Sequence, residues 1–148
     1  MSGRVVGIYV AAAGGAPCEA VPSVVALAGA GLEGDRYAVG EGTFSRKPGD
    51  GRHVTLVDAA AVAAAGLAPG ESRRNIETES VDLLSLVGKR FRIGGVELVA
   101  TRDCPPCGYL QKKTHRGVVA ALQGAGGLRA EVLVGGTITA GDPVEPVG

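Results

Sequence analysis

Twenty-five glycines and eight prolines are scattered through 148 residues, with no fixed period. Glycine inside a helix costs about 1 kcal/mol relative to alanine, and proline about 3 kcal/mol. Dispersed in this way, they mark the ends of many short elements and leave little room for long helices. The expected fold class is mainly β with short helices, arranged as a β-barrel-like mixed sheet. The length suits one domain, residues 1–148, large enough to bury a core without disulfide staples.

Hydropathy patterning places the elements. Val5 to Val10 reads as a first strand, followed by the flexible turn "AAAGGAP". Residues 17–30 are apolar but interrupted by Pro22 and Gly29, which suggests short extended pieces. His53 to Val57 reads as a strand. Asp58 can then cap a short helix over "AAAVAAA", and Gly66 suits the position after it. Asn75 to Thr78 reads as extended. The clearest alternation is "KRFRIGGVELVAT", two strands joined through Gly94-Gly95 as a hairpin. Leu128 to Val134 and "GGTITAGDPVEPV" supply the last strands, for about seven in all.

Charge and composition exclude some roles. Lys+Arg and Asp+Glu balance at 15 each, so no diffuse basic field exists to hold nucleic acid. Two Phe, three Tyr and no Trp supply few platforms for stacking bases. No apolar run approaches a membrane span, and no secretory leader pattern opens the sequence. These features point to a cytoplasmic protein, and the Ala/Gly/Val/Arg-rich usage points to a bacterial one. Three cysteines are too few for a disulfide scaffold.

Two of those cysteines lie in "TRDCPPCGYLQKK", residues 101–113. A structural zinc site built on Cys104 and Cys107 needs two more ligands. No second CxxC exists, and His53 and His115 are not spaced as a pair. A redox dithiol needs the pair at a helix N-terminus after a strand, whereas here a hairpin precedes it and Gly108 follows. The third reading is a single ligand or carrier thiolate at Cys107. Arg102, Lys112, Lys113 and Arg116 flank it, and positive charge stabilises a thiolate and attracts anions. Elsewhere, Arg73 and Asn75 in "ESRRNIET" offer a guanidinium fork beside an amide, suited to phosphate or carboxylate. Arg129 follows a glycine-rich loop whose backbone N–H groups could form an anion nest. Each of these stretches could equally be a polar loop.

In order, "GLEGDRY" (31–37), "HVTLVDAAAV" (53–62), "RRNI" (73–76), "VGKRFRIGGVELVATRDCPPC" (87–107) and "GGLRAEVLVGGTITAGDPV" (126–144) resemble the MOSC domain family, named for the C-terminal domain of molybdenum cofactor sulfurase. The resemblance spans essentially the whole chain. It implies a β-barrel-like fold and action through one cysteine, which maps onto Cys107; Cys104 is the secondary candidate. It implies cofactor-holding or cysteine-orienting roles for Arg73 and Asn75, with the Gly-Asp-Arg turn at Gly34, Asp35 and Arg36. Lys112 and Arg129 join the expected cofactor-binding set. The implied cofactor is molybdenum cofactor (molybdopterin), with Cys107 as a molybdenum ligand or as the carrier of a persulfide sulfur. Implied partners are a cysteine desulfurase or an electron-transfer protein.

Larger relatives carry an extra N-terminal β-barrel domain for reducing N-hydroxylated compounds, or a pyridoxal-phosphate domain for abstracting sulfur. Neither is expected here, so no pyridoxal phosphate is expected on this chain. The likeness is to small stand-alone bacterial members. A molybdenum-dependent oxidoreductase, a sulfur-transfer protein, a non-catalytic cofactor-binding or chaperone domain and a zinc-binding domain all stay open.

Overall fold

The computed structural model describes residues 3–10, 19–29, 31–33, 35, 54–64, 66, 74–103 and 127–147, with backbone alone at 102 and 103. Eleven strands are present among them: β1 (Gly3–Val10), β2 (Glu19–Ala20), β3 (Ser23–Leu27), β4 (Gly31–Leu32), β5 (Val54–Asp58), β6 (Ile76–Glu79), β7 (Arg90–Ile93), β8 (Val96–Asp103), β9 (Leu128–Val134), β10 (Gly136–Thr139) and β11 (Pro143–Pro146). One helix, α1 (Ala59–Ala64), follows β5, and a single 3-10 turn spans Leu83–Leu86.

The principal sheet runs β11-β7-β8-β9-β5-β6-β1, and β11 pairs again with β1. That last pairing closes seven strands into a barrel, which leaves no open edge around the ring. β2 branches from the far end of β1. A second sheet, β10-β3-β4, turns Val24, Ala26 and Ile138 onto the same core. The mixed character comes from one parallel pair, β5 with β6. Parallel neighbours need a crossover, and here it contains α1.

Local chemistry explains most boundaries. Asp58 ends β5 and caps the helix, its Oδ1 accepting from the Ala60 N–H at 2.9 Å. Gly66 follows at φ 77°, with its N–H on the Ala63 carbonyl. The β7–β8 hairpin pairs Ile93 with Val96 across Gly94-Gly95. Phe91, Ile93, Val96, Leu98 and Ala100 all bury, as their alternation requires.

β1 departs from strict alternation. Its register shifts between Val5 and Gly7, so a bulge at Val6 resets the pleat. Val5 and Ile8 therefore both face the core, an odd number of residues apart. Barrel closure is reinforced where the β10–β11 turn docks on this bulged strand. The Val5 N–H donates to the Asp142 carbonyl, and the Gly141 N–H donates to the Val5 carbonyl. Within the turn, Asp142 Oδ2 accepts from the Thr139 N–H at 2.8 Å.

Gly127 enters β9 at φ 105°, and a Cβ there would overlap the Leu56 carbonyl oxygen. Gly66 also has positive φ, but its missing Cβ faces open space. Gly66→Ala is expected to cost about 1 kcal/mol, the strain of the left-handed region alone. Gly127→Ala is expected to cost more than about 3 kcal/mol, because backbone of a core strand must also move. Urea midpoints at unchanged m-value measure both, and equal costs would refute the close approach.

Candidate functional site

The site begins with an alternation whose polar half does not face water. On β5, Val54 and Leu56 point into the core cluster, and Thr55 and Val57 lie outside it. On β6, Ile76 points in and Glu77 lies outside. On β9, Leu128 and Ala130 point in and Arg129 lies outside. The register sets these outward residues side by side: Thr55 opposite Arg129, and Val57 opposite Glu77. Yet Thr55, Asn75, Glu77 and Arg129 are all buried. The outer face of three adjacent strands, β6-β5-β9, thus carries a buried polar patch at these residues. Part of it is covered by α1, which packs on β5 and β6, with Val57 and Val62 buried there.

Asn75 organises one half of this face. Its Oδ1 accepts from the Thr55 N–H at 3.0 Å and from the Thr55 hydroxyl at 3.2 Å. Its own N–H donates to Thr55 Oγ1 at 3.0 Å, and its Nδ2 donates to the Tyr9 carbonyl at 3.1 Å. The Tyr9 N–H donates back to the Asn75 carbonyl at 2.7 Å. A donor from Thr55 and an acceptor from Tyr9 leave only one amide orientation workable. Asn75 therefore holds β1, β5 and β6 in register, a positioning role.

Next to the clamp lies a phenol–carboxylate pair. Gly7 pairs with Glu77 across β1–β6, and a Cβ on Gly7 would sit 2.7 Å from the Tyr9 hydroxyl. The Tyr9 ring therefore folds back over Gly7, toward Glu77. Burial raises the Tyr9 pKa above its ordinary 10.0, and the Glu77 charge raises it further.

Arg129 occupies the opposite side of the face. It is 6% exposed, and its Nε has no hydrogen-bond partner among the described residues. Its backbone pairs with Thr55 on one side and with residue 102 of β8 on the other. The β8 register slips between Ala100 and 102, and Thr101 at the slip donates from Oγ1 to the Arg129 carbonyl at 3.1 Å. β8 ends at Asp103, opposite Leu128, so Cys104 follows directly from this point in the chain. A buried guanidinium donor left unpaired beside that strand end fits an oxyanion.

Of the residues singled out from sequence, Asn75 and Arg129 come together on this face, bridged by Thr55. Asp35 is fully buried just beyond β4, its N–H on the Leu32 carbonyl at 3.0 Å. Arg36, Arg73, Cys104, Cys107 and Lys112 lie outside the described residues. The stretch "GVVAALQG", 117–124, whose residue types suit one or two helical turns, also lies outside them. Among the described residues no group of three His, Cys, Asp or Glu side chains could hold a metal. No described helix is long and apolar enough to cross a membrane. Tyr9, Thr55 and Glu77 were not anticipated; their alternation with core residues was visible but implied exposure.

A family model described as MOSC domain matches residues 51–145. No curated protein matches the chain. Crystal structures that share its fold include the following three. The YuaD protein of Bacillus subtilis is 21% identical, with TM-score 0.76, covering 99% of this chain and 96% of that one. YiiM of Geobacillus stearothermophilus is 15% identical, with TM-score 0.74, covering 99% and 75%. YiiM of Escherichia coli is 20% identical, with TM-score 0.70, covering 100% and 70%.

Asn75→Ala is expected to lower stability by about 3 kcal/mol, because the Thr55 N–H and the Tyr9 carbonyl lose buried partners. Chemical denaturation measures this, and a loss near zero would deny the clamp. The Tyr9 phenol is expected to ionise above pH 10.0. Its protonated form is favoured in the fold, so this contribution is complete below the unfolded pKa and lost as pH rises through the folded one. Phenolate absorbance should follow it in a Tyr37→Phe, Tyr109→Phe background. There Glu77→Gln should lower the midpoint only in part, because burial is the larger cause. A midpoint unmoved by Glu77→Gln would place the carboxylate elsewhere.

Proposed function

The chain belongs to the MOSC domain family, and from that premise we propose that it binds an anionic molybdopterin-type cofactor, with Cys107 as its sulfur ligand. The observation that carries this reading is Arg129. A permanently charged guanidinium is buried with its Nε unpartnered among the described residues, one strand from the start of the cysteine segment. A buried unpaired donor is costly, and in native proteins it commonly marks a place where an ion or ligand completes the bonding.

Each residue then has a task. Asn75 and Thr55 hold the strands that present the face. Arg129 offers a donor to the anionic part of the ligand. Arg73, Arg36 and Lys112 add cations, with Asp35 as a carboxylate to orient them. The cations that flank Cys107 in sequence favour its thiolate, the form that ligates a metal. When bound, molybdenum cofactor supplies two-electron redox chemistry at the metal, here toward an N–O bond, with electrons from a partner protein. In a sulfur-carrier role the same thiolate would instead hold a persulfide received from a cysteine desulfurase.

The deciding experiment expresses the protein in cells with and without an intact molybdenum-cofactor pathway. Bound metal and pterin are measured for wild type, Cys107→Ser and Cys104→Ala. Stoichiometric molybdenum and pterin, lost in Cys107→Ser and kept in Cys104→Ala, is the expected result. Cyanide-labile sulfur on Cys107 with no metal would replace the ligand role with the carrier role. Zinc that depends on both cysteines would overturn both.

A further inference from the structure

Four of the seven large apolar side chains exposed among the described residues, Val25, Leu27, Leu133 and Val134, lie at one junction. β3 runs antiparallel to β10, with Val25 opposite Thr137 and Ala26 opposite Gly136. Beyond that pairing the two segments stay together. The Gly29 N–H donates to the Val132 carbonyl, and a Cβ on Gly135 would lie 2.7 Å from the Ala26 carbonyl oxygen. Ala26 and Val132 are buried, so alternation turns Val25, Leu27 and Leu133 outward. Val134 joins them because the β8–β9 register slips: Leu98 pairs with Val132, but Glu97 pairs with Val134. A slip of this kind sets two consecutive side chains on one side of a strand. Val25 also lines a hollow of about 250 Å³, with Val10, Val21, Val24, Glu33 and Thr137.

Three carboxylates border this apolar row. Glu33 stands beside Val25, with its N–H on the Val25 carbonyl at 2.8 Å. Glu97 lies opposite Val134, and Glu131 precedes Leu133 by two residues on β9. None of the three is held in an ion pair among the described residues. Arg92 lies beyond Glu97, on β7, away from the row. We propose that this row is a docking face for a protein partner that presents a large apolar side chain between lysines or arginines. Exposed apolar surface rimmed by charge marks interaction sites. The hollow beside Val25 receives the apolar anchor, around which interfaces concentrate their energy. The carboxylates then meet a basic rim. A second copy of this chain fits less well, because a two-fold contact would set one acidic rim against another. Asp103, which precedes Cys104, lies six residues along β8 from Glu97, about 20 Å away. Docking here is therefore independent of what Cys107 carries.

The test titrates the purified, isotope-labelled full chain with three capped synthetic peptides, KKLFKK, SSLFSS and EELFEE, at low ionic strength. Amide shifts locate the binding and give its Kd. KKLFKK is expected to move the amides of Val25, Leu27, Glu33, Leu133 and Val134. SSLFSS is expected to bind about tenfold more weakly, the combined effect of three exposed charge pairs, and EELFEE more weakly still. The triple variant Glu33→Lys, Glu97→Lys, Glu131→Lys should reverse the order, preferring EELFEE. The double variant Leu27→Ser, Leu133→Ser should lose all three peptides. Cys107→Ser should bind KKLFKK as wild type does.

These substitutions are at side chains that face away from the core, and melting temperatures near wild type verify that each variant is folded. The docking face is overturned if KKLFKK shifts amides elsewhere on the barrel, or none. It is equally overturned if SSLFSS binds as tightly as KKLFKK, since the carboxylates would then select nothing. Sedimentation of the free chain decides the remaining occupant. A monomer is expected; a dimer in wild type that dissociates in Leu27→Ser, Leu133→Ser would give the face to a second copy and overturn the basic partner.

Discussion

The hydrogen-bonded clamp of Asn75 on Thr55 and Tyr9 is the interaction on which the rest of this barrel depends. A parallel pair inside an otherwise antiparallel ring is its least local feature, because β5 and β6 are separated by the α1 crossover. Loop closure costs entropy before any contact rewards it. One amide recovers part of that loss by joining β5, β6 and β1 at a single point. Buried polar groups specify register more sharply than apolar ones, since a one-residue slip would leave each of them unsatisfied.

The clamp also explains how a polar face can be buried at low cost. Thr55, Asn75 and Tyr9 exchange bonds among themselves and with the backbone, so little bonding capacity remains for a ligand. Arg129 differs. It sits beside the clamp, on a strand held by β5 and β8, and its Nε has no partner among the described residues. The face therefore divides into a rigid half that fixes position and a charged half with capacity to spare. The β8 slip at Thr101 adds a local change of direction just before the chain leaves toward Cys104 and Cys107. Bulges near such strand ends commonly re-aim the segment that follows.

Much of the barrel was legible because its signals are local. The "RFRIGGVELVA" hairpin is written in alternation and a glycine pair, and it forms with Phe91, Ile93, Val96, Leu98 and Ala100 buried. Asp58 and Gly66 bracket α1 as capping chemistry requires. The strands over 5–10 and 128–134 stand where the apolar patterning put them, and the broken apolar stretch after Pro17 yields β2, β3 and part of the second sheet. The 3-10 turn at Leu83–Leu86 carried no such signal. Its two buried leucines, Leu83 and Leu86, are spaced as in any apolar loop.

The amino-acid sequence by itself determined a mainly β chain of short elements, where they begin and end, and family membership through motifs in fixed order. Those properties follow from backbone preference and nearest-neighbour pattern, which operate within a few residues. Only the tertiary structure decided which strands meet: the closure of β11 onto β1, the parallel β5–β6 pair, and the bulge that turns both Val5 and Ile8 inward. It also decided that Thr55, Asn75, Glu77 and Arg129 are buried, although alternation alone assigns them to solvent. Periodicity reports which side of a strand a residue takes; what covers that side depends on contacts between segments far apart in the chain.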